Sequence, residues 1–299
     1  SGNEAKENIG VNLLRNQPSR ARTLTSQTSK IAHLRRLVTI MTSVVGLAVL
    51  LLTYLHVEWD RREALRQHVA DMENLSTALT RQAESTIRDA HTVLIGIQRK
   101  LQVSGYGAEN LREVLEVARA QSAILADVEG FTVLDADGRP LLTTVPNATT
   151  HYSARDRDYF AVHSSNLVTG LYIGAPIQSR MSGDWVISLT LRLSDADGEF
   201  RGVVLATLLV QHFVDFYRSI DVGSQGVIGM VKRDGTLLVR SRESAQNAGL
   251  DMSRSPVLHA VNEDSVKRGN MVLTAMIDGV KRIYGFDTSD EYPLSLIHI

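Results

Sequence analysis

The chain has 299 residues, 43% of them hydrophobic and 22% charged, with a net charge of −1 and no cysteine. That is the composition of one or two globular domains rather than of a disordered chain. Near-neutral charge gives no reason to expect nucleic acid as a partner. The lack of cysteine excludes disulfides, Cys-based zinc sites and a thiol nucleophile.

Residues 1–36 are rich in Ser, Thr, Asn and Gln and carry Arg15, Arg20, Arg22, Lys30, Arg35 and Arg36. They read as a disordered cytoplasmic tail. Residues 37–57 follow without a single Asp, Glu, Lys or Arg. At about 1.5 Å per residue such a stretch spans roughly 30 Å, the thickness of a bilayer's hydrocarbon core. A buried soluble helix and a cleaved signal peptide are the rivals. The first rarely runs so long without a charge, and the second needs a small-x-small cleavage site that is missing here. The basic residues precede the span, while beyond it Glu58 and Asp60 balance Arg61 and Arg62. The positive-inside rule therefore puts the N-terminus in the cytoplasm and residue 58 onward outside, with Tyr54 and Trp59 as interfacial anchors.

Residues 58–103 lack Pro and hold one Gly, Gly96. Small or apolar residues recur at Leu65, Val69, Met72, Ser76, Leu79, Ala83, Thr86, Ala90, Val93 and Ile97, in alternating steps of four and three. This is a heptad seam, weakened by its small and polar members. The pattern predicts a long stalk helix that pairs with its twin in a homodimer, packs on its own domain, or does each along different stretches. The segment 105–107, Gly-Tyr-Gly, breaks it, and a short amphipathic helix follows over 109–123.

From residue 128 the pattern turns to strands. They are predicted at 131–134, 140–145, 173–177, 185–193 and 202–209, with turns at Asp135-Ala-Asp-Gly138 and Asp195-Ala-Asp-Gly198. A helix over 210–220 carries Phe213, Phe216 and Tyr217 as anchors. The motif then recurs: strands at 226–231 and 236–240 around Asp234-Gly235, a helix over 256–264, and strands at 270–276 and 280–286 around a turn at 278–279. The expected class is therefore α+β, with two tandem lobes at 104–220 and 221–294, each built on a mainly antiparallel sheet. The Asp-Gly segments look like fragments of calcium loops but lack the remaining ligands, so hairpin turns explain them better.

The blocks FTVLDADGRPLLTT, ARDRDYF, GLYIGAPI, WVISLTLRL and DGEFRGVVLATL, then GVIGMVKRDGTLLVRS and DGVKRIYGFDTSDEYPL, occur in this order. Together they resemble the double Cache domain, the tandem PAS-like periplasmic sensor of bacterial chemoreceptors, histidine kinases and diguanylate cyclases. The resemblance covers about residues 58–294. It implies a long helix supporting both lobes, a small ligand in the membrane-distal lobe, an inner-membrane location, and a cytoplasmic output module. A diguanylate cyclase is the first expectation for that output, a histidine kinase or a chemoreceptor the alternatives, and a membrane-anchored extracytoplasmic enzyme the outlier.

The resemblance places ARDRDYF at the rim of the distal pocket. Arg157 is the first candidate there, because a guanidinium offers a planar fork of donors that matches a carboxylate. Tyr159 adds a hydroxyl and an aromatic wall, and Asp158 could hold a ligand ammonium or orient Arg157. Tyr172, Trp185, Ser188 and Thr190 are the strand residues expected to face the pocket. The implied ligand is a small carboxylate, an amino acid or an amine. The structural alternative has Asp156 capping a helix, Arg157 in a surface ion pair, and Tyr159 and Phe160 in the core. No HExxH, GxSxG or glycine-rich phosphate loop occurs, so the sequence offers no catalytic residue, metal set or cofactor site. His163 is expected on a helix surface or in the pocket. The last hexapeptide, LSLIHI, looks like translated sequencing-adapter DNA, which would strip residues 295–299 of biological meaning. The other reading of it is a genuine apolar strand.

Overall fold

The computed structural model describes residues 18–168, 170–242, 244–262, 266–274 and 279–299. The first part of the expected tail, residues 1–17, lies outside them, as do residues 263–264 of the expected helix and residues 275–278, which hold the end of one expected strand and part of the turn at 278–279. The chain divides into two compact units, one ending at Gln67 and the other His68–Ile299.

Helix α1 (Pro18–Ser104) begins inside the stretch expected to be a disordered tail. Pro is well suited to a first helical position, since its missing N–H would have no intrahelical partner there. In the first unit, His33–Ala64 is long and apolar enough to cross a membrane, and none of it is buried in protein. Leu37, Val45, Leu50 and Leu52 are exposed around the helix, so the surface is apolar on every side. A helix of that kind needs an apolar surrounding that water cannot supply.

In the second unit α1 is followed by α2 (Ala108–Ser122), β1 (Val128–Asp135), β2 (Pro140–Thr143), α3 (Asp158–Ser164), β3 (Tyr172–Gln178), β4 (Trp185–Ser194), β5 (Phe200–Leu209) and α4 (Val210–Ser219). These make the first lobe, whose sheet is ordered β2-β1-β5-β4-β3. The second lobe holds β6 (Ile228–Lys232), β7 (Leu237–Arg240), α5 (Ser244–Asn247), α6 (Pro256–Asn262), β8 (Arg268–Thr274), β9 (Lys281–Thr288) and β10 (Leu294–His298). Its sheet, β7-β6-β10-β9-β8, repeats the same path. Every pairing is antiparallel.

The buried stripe of α1 runs Leu79, Ala83, Ile87, Ala90, Leu94, Ile97 and Leu101. Positions 79, 90 and 101 lie eleven apart, which is the period of a nearly straight helix rather than of a left-handed coiled coil. The heptad expectation of Thr86 and Val93 is thereby corrected to Ile87 and Leu94. A helix packed on its own sheets has no partner to supercoil around, so the stripe follows 3.6 residues per turn. The helix serves both lobes. Thr80 donates to the Asp287 carbonyl of the second sheet (3.3 Å), and Leu94 and Leu101 pack in the cluster of the first sheet with Phe131, Val133 and Leu189.

The Asp-Gly segments are tight turns. Asp135 Oδ1 accepts the N–H groups of Asp137 (2.9 Å) and Arg139 (2.8 Å), and Asp195 does the same for Asp197 and Glu199. Of the anchors expected on α4, Phe213 and Tyr217 are buried but Phe216 is 40% exposed. At the start of β5, Gly202 sits at φ +139°, and a Cβ there would lie 1.9 Å from the Leu134 carbonyl. This close approach lets β5 lie beside the end of β1. The final segment pairs with β6 and β9 as the central strand of its sheet. The apolar-strand reading is thus the conformation it adopts.

Candidate functional site

The strands of the first sheet present alternate residues to opposite faces. On β4, Ile187, Leu189 and Leu191 face the cluster around α1 and α2. Val186, Ser188 and Thr190 therefore face the other way, toward α3. On that second face Leu134, Val203 and Leu205 pack against Ala154, Tyr159 and Phe160. One part of it is left open as a small pocket. The sheet supplies Ile177, Val186, Ser188, Leu205 and Thr207, and the loops and α3 supply Tyr152, Arg157, Tyr159, Ser179, Arg180 and Met181. Its free volume is about 20 Å³, room for one water-sized group.

Arg157, Tyr159 and Ser188 are therefore brought together. Arg157 is partly exposed and donates one bond, to the Gln178 carbonyl (3.1 Å). Ser188 Oγ is buried with no hydrogen-bond partner among the described residues. The Tyr159 phenol is pushed well above its usual pKa, first by burial. Asp156 does not cap α3. It takes a two-pronged bond from Arg180 (2.7 and 2.6 Å), while Arg180 also donates to the Ser153 carbonyl (2.7 Å). Those bonds hold the Asp156 carboxyl at a pKa of about 2.

Four expected residues lie off the pocket lining. Asp158 turns to the Tyr172 hydroxyl, which donates to it at 3.0 Å. Thr190 shares the pocket face but is taken by His163 Nε2 (3.0 Å). Trp185 has the parity of Ile187 and Leu189, so it points to the opposite face; it begins β4 and is 37% exposed. His163 is fully buried, which lowers its pKa and keeps it neutral, in contrast to the surface or pocket position expected.

Eight lining residues fall outside the expected set, among them the polar or charged Tyr152, Ser179, Arg180 and Thr207. Thr207 is a polar residue in the apolar run of β5, a signal that was available. Its hydroxyl donates to the Gly130 carbonyl (3.3 Å). Beside it on β1, at an irregularity in the pairing with β5, stands Glu129. Both of its carboxylate oxygens are buried with no hydrogen-bond partner among the described residues. Burial raises the Tyr152 phenol, while Arg157 and Arg180 lower it and Glu129 adds to the rise.

Comparison with known proteins places this architecture. The family model for the Cache domain, in its double form, matches residues 61–299. No curated protein sequence matches the chain. Among solved structures, one described as the extracellular domain of a histidine kinase, rpHK1S-Z16, is 31% identical, with a TM-score of 0.67; 79% of this chain and 95% of that one are covered. The ligand-binding domain of the Pseudomonas fluorescens chemoreceptor CtaA, in complex with L-isoleucine, is 15% identical at a TM-score of 0.58, covering 80% and 94%. That of the Pseudomonas aeruginosa PAO1 amino acid chemoreceptor PctC, in complex with GABA, is 12% identical at 0.58, covering 77% and 98%. The last two share the fold. With its doubled five-stranded sheets, its supporting helix and a family match over most of its length, the chain belongs to the Cache domain family, in the double Cache form.

Proposed function

We propose that this chain is the extracytoplasmic small-molecule sensor region of a bacterial transmembrane signalling protein. Residues 37–57 anchor it in the inner membrane, the N-terminus is cytoplasmic, and the working form is a homodimer. The observation that carries the reading is the first-lobe pocket, lined by Arg157 and Arg180, with Glu129 on β1 beside the lining residue Thr207, its carboxylate oxygens buried and without a hydrogen-bond partner among the described residues. A buried carboxylate without a partner is costly, and a ligand ammonium would relieve it. An arginine fork suits a ligand carboxylate. An amino acid satisfies both, and a simple acid or amine satisfies one. Because the pocket's free volume is only about 20 Å³, such a ligand requires the lining loops to move apart.

For the output, the family resemblance favours a diguanylate cyclase. The relative described as part of a histidine kinase and the chemoreceptor domains of like fold give equal support to those two alternatives.

The test is a thermal-shift screen of the full chain against small carboxylic acids, amino acids and amines. A ligand at a hundredfold excess over its Kd adds about 2.7 kcal/mol to the folded state, a rise of roughly 5–10 °C for a domain of this size. Arg157→Ala is expected to abolish the shift for any ligand with a carboxylate. Glu129→Gln should weaken amino acids and amines but spare simple acids. Full affinity in Arg157→Ala would overturn the assignment.

A further inference from the structure

Lys232 ends β6 in the second lobe, yet it is only 9% exposed. A lysine at a hairpin end ordinarily reaches for water, and a buried ammonium must be paired. Its carboxylate partner is Asp234, in its own turn, at 2.8 Å. Its other neighbour is Tyr172 of the first lobe, with the ammonium 5.4 Å from the ring centroid. A cation over an aromatic face is attracted to it. The Tyr172 hydroxyl donates to Asp158 Oδ2 (3.0 Å), and Asp158 Oδ1 accepts the Tyr159 N–H (2.7 Å). The Tyr172 ring also makes an edge contact with His163, centroids 6.3 Å apart at 85°, and His163 is in turn bonded to Thr190. A chain of contacts therefore runs from the second lobe to Asp158, which stands between two pocket residues, Arg157 and Tyr159.

Within the β6–β7 hairpin the charge meets only the Asp234 carboxylate among the described residues, and that side chain is 56% exposed, so water can serve it in place of the ammonium. An apolar side chain of equal length would cover Tyr172 without the cost of burying an ammonium. We infer that Lys232 is a positioning residue for the first-lobe site: it clamps Tyr172, and through Tyr172 it holds Asp158 so that Arg157 and Tyr159 stay turned into the pocket. The second lobe is thereby part of the ligand site without touching it. This rests on the ligand reading proposed above, but its test uses no ligand, so the two fail separately.

Amide hydrogen exchange of the full chain in lipid nanodiscs would be compared for wild type, Lys232→Met, Lys232→Arg and Tyr172→Phe. Lys232→Met should speed exchange over residues 158–164 about tenfold, while β4 keeps wild-type protection. Lys232→Arg, which keeps the cation, should restore wild-type exchange. Tyr172→Phe keeps the ring and loses only the bond to Asp158, so it should match Lys232→Met, with no further increase in the double variant. Unchanged exchange over 158–164 in a folded Lys232→Met protein would overturn the clamp, as would additive effects of the two substitutions. If Lys232→Met does not fold, Tyr172→Phe decides alone: wild-type exchange over 158–164 would sink the proposal.

Discussion

Arg180 and Asp156 join the two loops that roof the pocket, and their contact is an exposed one. It lowers the pKa of the Asp156 carboxyl. The folded carboxyl is depressed to about 2, from a usual value of 3.8. The sign follows directly: the ion pair stabilises the closed loops above the unfolded pKa, and that contribution is lost as pH falls from about 4 toward 2. Carbon-detected NMR titration should place the Asp156 midpoint near 2, and Arg180→Ala should return it to about 3.8. An unchanged midpoint in that variant would mean the contact is not formed in solution. At this scale the sequence was partly legible. ARDRDYF pointed to Arg157 and Tyr159, and the strand block WVISLTLRL pointed to Ser188 along with Trp185 and Thr190. Trp185 shares the parity of Ile187 and Leu189, so period-two alternation separates it from Ser188 and Thr190. Arg180 could not have been read at all, since nothing local says which loop a distant guanidinium will clasp.

Among the elements, α1 best shows what a sequence pattern contains and what it omits. The spacing of small and apolar residues announces one long helix, but the heptad and eleven-residue readings diverge only at Thr86/Ile87 and Val93/Leu94. The partner surface decides between them, and that surface comes from strands more than thirty positions away. The distinction can be measured. Leu94→Ala should cost about 2–5 kcal/mol, as buried leucines do, while Val93→Ala should cost about 1 kcal/mol or less. Urea unfolding of the two variants would give the comparison, and equal losses would restore the heptad seam. The strand order within each lobe was not readable either, because antiparallel pairings depend on long-range register. The doubling was, since Asp-Gly hairpins and apolar strands recur in the same succession. A slot flanked by two strands accepts any short β-prone segment without Pro. The pairing of β10 therefore reports the slot rather than the origin of its residues. We retain adapter-derived residues at 295–299 as a proposal, which rereading the gene beyond the Pro293 codon decides.

For the whole molecule, the composition gives two regions with different solvents. Residues 37–57 carry exposed apolar side chains around the helix, while the lobes bury theirs in packed clusters. Sensing by this chain matters only if the lobes lie on the far side of a membrane from the signalling output. The proposed orientation rests on the charge imbalance around residues 37–57, read by the positive-inside rule. The measurement that tests it most directly is a pair of topology reporters fused after Val103, alkaline phosphatase and green fluorescent protein, expressed in a Gram-negative host. The expected result is an active phosphatase and a dark fluorophore, which places residue 103 outside the cytoplasm. A fluorescent fusion with an inactive phosphatase would put both lobes in the cytosol and contradict the account.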